Sequence, residues 1–525
     1  MKNIFKNTRI GLAVASVLLL AAGSCTGDFE GFNTDPNAAQ KIDKTTLITS
    51  MELDAMYPTT GETTVPVNRY QTGWNLLADH YAGYMACANH FDGGNNPMVY
   101  NLTANNWSNT VFEVAFTQVM PAWLQLDLAY QNQLITPETK AVADILKVLT
   151  LHRASDMYGP LPVLNFGKSR NPYDSQEVLY NHFFETLDTA IGVLKEYVAI
   201  APDGRPLEKV DAIYAGDFSK WIKFANSLKL RLAMRISYVE PTLSATYAKE
   251  AIDDGVITDT QDNAILQNYR NFTINNPLEM LWNSYDDARM SASMDSFLNG
   301  YEDPRMPVLF QPAKKDSKYH GVPNGMGTTA QSFYTDCTSA PNIQTSTPMK
   351  WLLASEVAFL KAEYYFRQGN SASAASSYND GIRLSFIENG LSASEAATYA
   401  DNTDKKPVYY RNVSENPVGN ANPLTSINIK WADDGKELER IMTQKWIALF
   451  PNGMEAWAEF RRTGFPKIFP IVSNSQDPTI NKNVQIRRMV FPKLEYSNNA
   501  GAVSAATRLL NGPDAGGTKL WWDKR

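Results

Sequence analysis

Beyond about residue 45, apolar side chains recur at spacings of three and four, and no long alternation of apolar and polar positions argues for a sheet. The pattern predicts an all-α scaffold with long loops. Its clearest unit runs from Leu352 to Glu388, where two amphipathic stretches flank a break at Gly369-Asn370. A second pair is predicted at 138–156 and 176–196, with Leu179, Phe183, Leu187, Ile191 and Leu194 on one helix face. A third joins 217–237, where Trp221, Ala225, Leu228, Leu232 and Ile236 repeat at helical spacing, to 243–254. Asp217 is placed to cap its first helix and Pro241 precedes the second. A fourth links 436–450 to 454–462 through Pro451-Asn452-Gly453, whose composition forces a short turn.

In the 352–388 unit, Ala362, Tyr365, Ala374, Tyr378 and Gly381 fall at spacings that resemble a tetratricopeptide repeat. Small side chains there let two antiparallel helices approach while aromatics fill the groove between them. The stretches 256–350 and 463–525 differ, being rich in Asn, Pro, Gly, Ser and Thr with aromatics among them. Long irregular segments on a rigid scaffold are where binding surfaces lie, so these and the 87–110 stretch become the functional candidates.

The N-terminus changes the picture. Lys2, Lys6 and Arg9 precede an uncharged apolar run from Ile10 to Gly23, which suits a signal-peptide core and is too short to span a membrane. Ala22, Gly23 and Ser24 stand directly before Cys25, an arrangement that resembles the lipobox of bacterial lipoproteins. Residues 1–24 are therefore expected to be a cleaved signal, Cys25 the acylated N-terminus, and 25–44 a polar tether. Two or three acyl chains make such an anchor effectively permanent, whereas one binds marginally. Asp28 and Glu30 resemble the surface-export signal of Bacteroidetes lipoproteins.

Composition narrows the partners. A net charge of −7 over 525 residues, without a run of like charges, argues against nucleic acid. Cys87 and Cys337 lack CxxC spacing and a nearby histidine cluster, so no metal is expected. They are read as two free buried thiols or as one disulfide. No HExxH, GxSxG, glycine-rich phosphate loop or EF-hand spacing occurs, so neither an enzyme nor a cofactor is expected. Asp286-Asp287 and Asp433-Asp434 read as solvated helix ends rather than acid–base pairs.

Sugar binding needs flat apolar ring faces flanked by hydrogen-bonding side chains. The candidates are His90, Phe91, Tyr100 and Trp107 in the first loop stretch, and Trp282 with Tyr285 in the second. His90 also suits an exposed loop histidine, and Trp107 and Trp282 suit core positions equally well. Trp221, Trp351, Trp446 and Trp457 read as core, and Arg461 and Arg462 as partners of free carbonyls at a helix end. Trp521 and Trp522 fit either tail packing or a partner contact.

Several stretches together resemble the SusD/RagB family of nutrient-binding outer-membrane lipoproteins, in its SusD-like subgroup. They include FEGFNTDPN from Phe29, GDFSKWIKFANSLKLRLAMRI from Gly216, EDPRMPV from Glu302, SEVAFLKAEYYFRQG from Ser355, QKWIALFPNGMEAWAEFRRTGFP from Gln444 and LWWD from Leu520. The resemblance implies a right-handed superhelix of four tetratricopeptide-like pairs within one domain, 45–525. The scaffold would occupy about 45–255 and 350–465, with loop-rich parts at 256–349 and 466–525. It also implies a TonB-dependent SusC-like barrel as partner, over which the lipoprotein sits as a hinged lid, and a nutrient ligand held without chemistry. Loop composition favours a glycan; capture of peptides or glycopeptides, or a solenoid that binds only other proteins, are the alternatives.

Overall fold

Thr136, Ser175 and Asp217 each stand in extended conformation and accept a hydrogen bond from a backbone N–H of the turn that follows. Each thereby starts a helix by satisfying a donor that the helix itself cannot. In the computed structural model these are α1 (Pro137–Tyr158), α2 (Gln176–Ile200) and α3 (Phe218–Arg235). Pro241 opens α4 (Pro241–Asp254), where its missing N–H costs nothing. After α5 (Pro277–Asn283) come α6 (Ala354–Arg367), α7 (Ser371–Glu388), α8 (Glu437–Leu449) and α9 (Gly453–Thr463). The structure describes residues 43–58, 65–87, 89, 97–101, 106–270, 272–326, 331–415, 418–473, 475, 477–481 and 484–525. Cys25, the signal segment and nearly all of the tether lie outside them.

The helices pack as α1 on α2, α3 on α4, α6 on α7 and α8 on α9, the four pairs that periodicity predicts. Within Leu47–Arg525, one continuous core takes in residues from every pair. Trp221, Trp351, Trp446 and Trp457 are all buried in it. Strands are few and short. β1 (Met85–Ala86) pairs antiparallel with β3 (Arg289–Met290), and β2 (Ala264–Leu266) with β4 (Met349–Leu352), each joining loop-rich sequence to distant chain.

Glycine sets how closely α6 and α7 approach. A Cβ built on Gly381 would lie 2.7 Å from the Phe359 ring, which is itself fully buried. Gly381→Val is expected to lower stability by about 1–3 kcal/mol through overpacking, read as a shifted urea midpoint at unchanged slope.

The helix of 65–79 docks on α9 through one carboxyl. Asp79 accepts from the Gly453 N–H at 3.2 Å and from Asn75 Nδ2 at 3.3 Å, and a Cβ on Gly453 would collide with it. Burial pushes the Asp79 carboxyl up to about 8. The folded state therefore prefers the protonated form, so this contribution to stability is present below the ordinary carboxylate range and fades as pH rises toward that value. Asp79→Asn is expected to raise the melting temperature at about pH 8, with the gain shrinking toward about pH 5.

The most unusual feature of the scaffold is a buried charge network that reaches all four helix pairs. Arg231 on α3 holds Glu356 on α6 through two bonds of 2.7 and 2.8 Å. Arg235, one turn on, reaches Glu455 and Glu459 on α9 at 2.5 Å each and Asp156 on α1 at 3.2 Å. Arg462 clamps Glu363 on α6 with two bonds of 2.6 Å and Glu459 at 2.5 Å, while Lys445 on α8 lies 3.2 Å from Glu459. Burial alone would raise these carboxyls, but the surrounding cations outweigh it and hold Glu363, Glu455 and Glu459 below the usual range. Such a network sets which helix faces meet more than it adds net stability, because desolvating the charges offsets much of their attraction.

The two arginines expected at a helix end separate here. Arg461 does bond carbonyls, those of Trp457, Asp156 and Arg487, and stacks 3.5 Å from the Trp457 ring. Arg462 instead pairs with carboxylates in the network. The C-terminus is packed inward: Trp522 is fully buried, with its indole N–H on Asp156 at 2.8 Å.

Candidate functional site

Asp287 lies where several loops meet, between α5 and β3. It is 3% exposed, which corrects its reading as a solvated helix end. Its side chain accepts from Gln71 Nε2 at 2.6 Å, Asn89 Nδ2 at 3.0 Å and Gln331 Nε2 at 3.1 Å, and the Cys87 thiol stands at 3.7 Å. Gln331 also donates to the carbonyls of Tyr285 and Asp286. Burial pushes the Asp287 carboxyl up to about 6, against the lowering effect of these donors. One carboxyl thus gathers the 65–79 helix, the chain after β1, the turn after α5 and the loop at 331. Asp286 reinforces the turn, in left-handed conformation and bound by Thr335 and Arg289.

Aromatic residues lie near this hub in the chain or in space. Tyr285, two residues before Asp287, is partly buried and its hydroxyl donates to Asn68 Oδ1 at 3.3 Å. Trp282 on α5 is partly buried too, its indole N–H on the Ile343 carbonyl at 2.7 Å, which fixes the ring. Trp107 packs, partly buried, on Leu76, Cys87 and Met98, so it meets the hub through Cys87. Tyr100 is 3% exposed and sets its ring edge-on to Tyr81. His90 and Phe91 lie outside the described residues. The structure thus brings Trp107 and Tyr285 to the Asp287 hub, ties the Trp282 indole to Ile343, and places Tyr100 in the core.

Sequence reasoning passed over Gln71, Asn89 and Gln331, and read Asp287 only as a solvated helix end. A signal existed for the first. Gln71, Asn75 and Asp79 recur every fourth residue along a helix whose other positions are largely apolar, a polar stripe on a buried element. Among the described residues, no group of three or more His, Cys, Asp or Glu side chains is arranged to hold a metal ion. Cys87 and Cys337 are free buried thiols.

Held rings beside fixed amides can grip a ligand that offers flat apolar faces and hydroxyl or amide groups. Asp287 is covered by its own hydrogen bonds, so its part is to position the neighbouring amides.

Comparison with known proteins places most of the chain. The SusD-like family model, described as Susd and RagB outer membrane lipoprotein, matches residues 31–523. The chain belongs to the SusD-like family. Among solved structures it is similar to a chitin-binding SusD homologue from Flavobacterium johnsoniae, at 33% identity and a TM-score of 0.85, over 91% of this chain and 98% of that one. A SusD homologue from Bacteroides vulgatus matches at 33% identity and a TM-score of 0.84, over 91% and 97% of the two chains. A SusD-like protein from Bacteroides thetaiotaomicron gives 31% and 0.84, over 92% and 99%. A search of curated protein sequences gives no significant match. In this SusD-like protein no helix among the described residues is long and apolar enough to cross a membrane.

Proposed function

We propose that this SusD-like protein is anchored at the cell surface by lipid on Cys25, binds a glycan without altering it, and delivers it to a TonB-dependent SusC-like barrel. The observation that carries the reading is the neighbourhood of Asp287, where Tyr285 is held by its bond to Asn68 and by the Gln331 amide on its carbonyl, and Trp107 packs on Cys87. Rings held in place lose little entropy on binding, and a pyranose offers the flat face and hydroxyl rim they would meet. The similarity to a chitin-binding homologue over nearly the full length of both chains supports a saccharide ligand. Acceptors buried under their own donors, as Asp287 is, suit holding rather than proton transfer.

Delivery requires a partner. Purified in mild detergent from the cells that make it, the chain is expected to carry acylated Cys25 and to bring a TonB-dependent barrel with it in stoichiometric amount. A protein that purifies alone with an unmodified cysteine contradicts the reading.

A further inference from the structure

A cavity of about 530 Å3 lies at the seam between the loop-rich sequence and the scaffold. It is bounded by β2 and β4, the end of α7 and the turn between α8 and α9. The volume falls within the range of about 300–1,000 Å3 typical of small-molecule sites. Its walls are mainly apolar, with Leu309, Met349 and Phe450 among them.

Most of the polar groups facing it are already used. Asn263 accepts from the Ala354 N–H at 2.7 Å and donates to Glu388 at 3.2 Å; Asn276 accepts from the Leu278 N–H and donates to the Thr347 carbonyl. Lys350 is not so used. It lines the cavity from β4, makes no side-chain hydrogen bond to a described residue, and has no described carboxylate within the 4.0 Å of an ion pair. Its electrostatic partner, Glu388, stands beyond that reach across the same space. Glu388 Oε1 accepts from the Ser355 N–H and Asn263, and Oε2 from the Ser355 hydroxyl, which leaves Oε2 one acceptor site. The Gln344 side chain, also at the wall, has no hydrogen-bond partner among the described residues.

These remaining valences narrow the chemistry of an occupant. An anion would satisfy Lys350 but meet Glu388, and a cation the reverse. A free amino acid would put an ammonium against a carboxylate with one open site, leaving N–H groups unsatisfied in an apolar cavity. A hydroxyl accepts one of the three Lys350 N–H groups and donates its single hydrogen to Glu388, and neighbouring hydroxyls on the same ring offer further acceptors to Lys350. A neutral ring bearing several hydroxyls would also reach Gln344 and lay its apolar face on Leu309, Met349 and Phe450.

We propose that this cavity is a second saccharide site, separate from the Asp287 surface, which takes one neutral hexose ring with a hydroxyl set between Lys350 and Glu388. It deepens the glycan reading and rests on it for the choice of sugar.

The test uses the full chain in detergent and saturation-transfer NMR with glucose, galactose, mannose and N-acetylglucosamine, followed through the reductively 13C-methylated Lys350 signal. At least one sugar is expected to bind and to shift that signal. In the Trp107→Ala with Tyr285→Ala background, where the surface rings are gone, Lys350→Met should weaken the remaining hexose binding about tenfold or more, the scale of a lost charge-assisted hydrogen bond. Leu309→Trp, which fills the cavity, should also abolish it. The proposal is overturned if none of the four sugars binds, if Lys350→Met leaves binding in that background unchanged, or if free amino acids displace them. Hexose binding that vanishes with the ring variants and survives Lys350→Met removes the cavity site but leaves the surface reading standing. Hexose binding at Lys350 with no oligosaccharide bound at the surface does the opposite.

Discussion

Arg462→Met is expected to destabilise the folded chain by about 3–5 kcal/mol, the largest effect of any single substitution considered for the scaffold. The arginine is fully buried, and it bonds Glu363, Glu459 and the Ser237 hydroxyl. Its removal strands two carboxylates in the interior. Arg367 still reaches Glu363 at 2.8 Å, and Arg235 and Lys445 still reach Glu459, so the loss stops short of two bare charges. The sign with pH follows from the depressed carboxyls. In the native chain their contribution is present above the ordinary carboxylate range and lost as pH falls through the lowered values. In Arg462→Met that contribution shrinks, so the difference in stability between the two proteins should narrow on acidification. Urea unfolding at neutral and acid pH measures both. If Arg462→Met unfolds like the native protein at neutral pH, the network does not hold the pairs together in the way described. The double variant Arg462→Met with Glu363→Leu should recover part of the loss, because it removes the stranded charge along with its partner.

The second large effect concerns the ligand. Trp107→Ala combined with Trp282→Ala is expected to weaken glycan binding on the order of tenfold to a hundredfold. Two ring contacts contribute roughly 0.5–1.5 kcal/mol each, and each 1.4 kcal/mol is a factor of ten. Both side chains also pack in the fold, Trp282 through Ile343 and Trp107 on Leu76, Cys87 and Met98, so the thermal midpoint should fall with either single change. Full binding by the double variant, at any melting temperature, would move the ligand away from the Asp287 neighbourhood.

The scaffold was legible because its signals are local. Asp217 caps the helix at the expected residue, Pro451-Asn452-Gly453 makes the expected turn, and Ala362, Ala374 and Gly381 lie where α6 and α7 meet. Each is decided within a few residues by backbone valence or side-chain size. The charge network was not legible. Arg231 and Glu356 are 125 residues apart and Arg235 and Glu455 are 220 apart, and on single helices they look like solvated positions. Only the packing of four pairs turns those faces inward together.

The candidate site was approached by residue type and not by arrangement. Aromatic residues in Asn-rich loops led to Trp107 and Tyr285, which lie beside the Asp287 hub, and to Trp282, whose indole is tied to Ile343. Aromatic composition alone could not separate them from Tyr100, which meets Tyr81 in the core. Nor could it show Asp287, because a carboxyl covered by Gln71, Asn89 and Gln331 is defined by contacts 216, 198 and 44 residues away.

The central claim is that the chain grips a saccharide and releases it unchanged. Calorimetric titration of the full chain in detergent with chito-oligosaccharides, host and plant glycans and peptide pools, followed by mass measurement of the recovered ligand, tests it most directly. Saturable binding of at least one glycan, recovered at its original length, is the predicted result. Binding of peptides alone, or recovery of a shortened glycan, would contradict it.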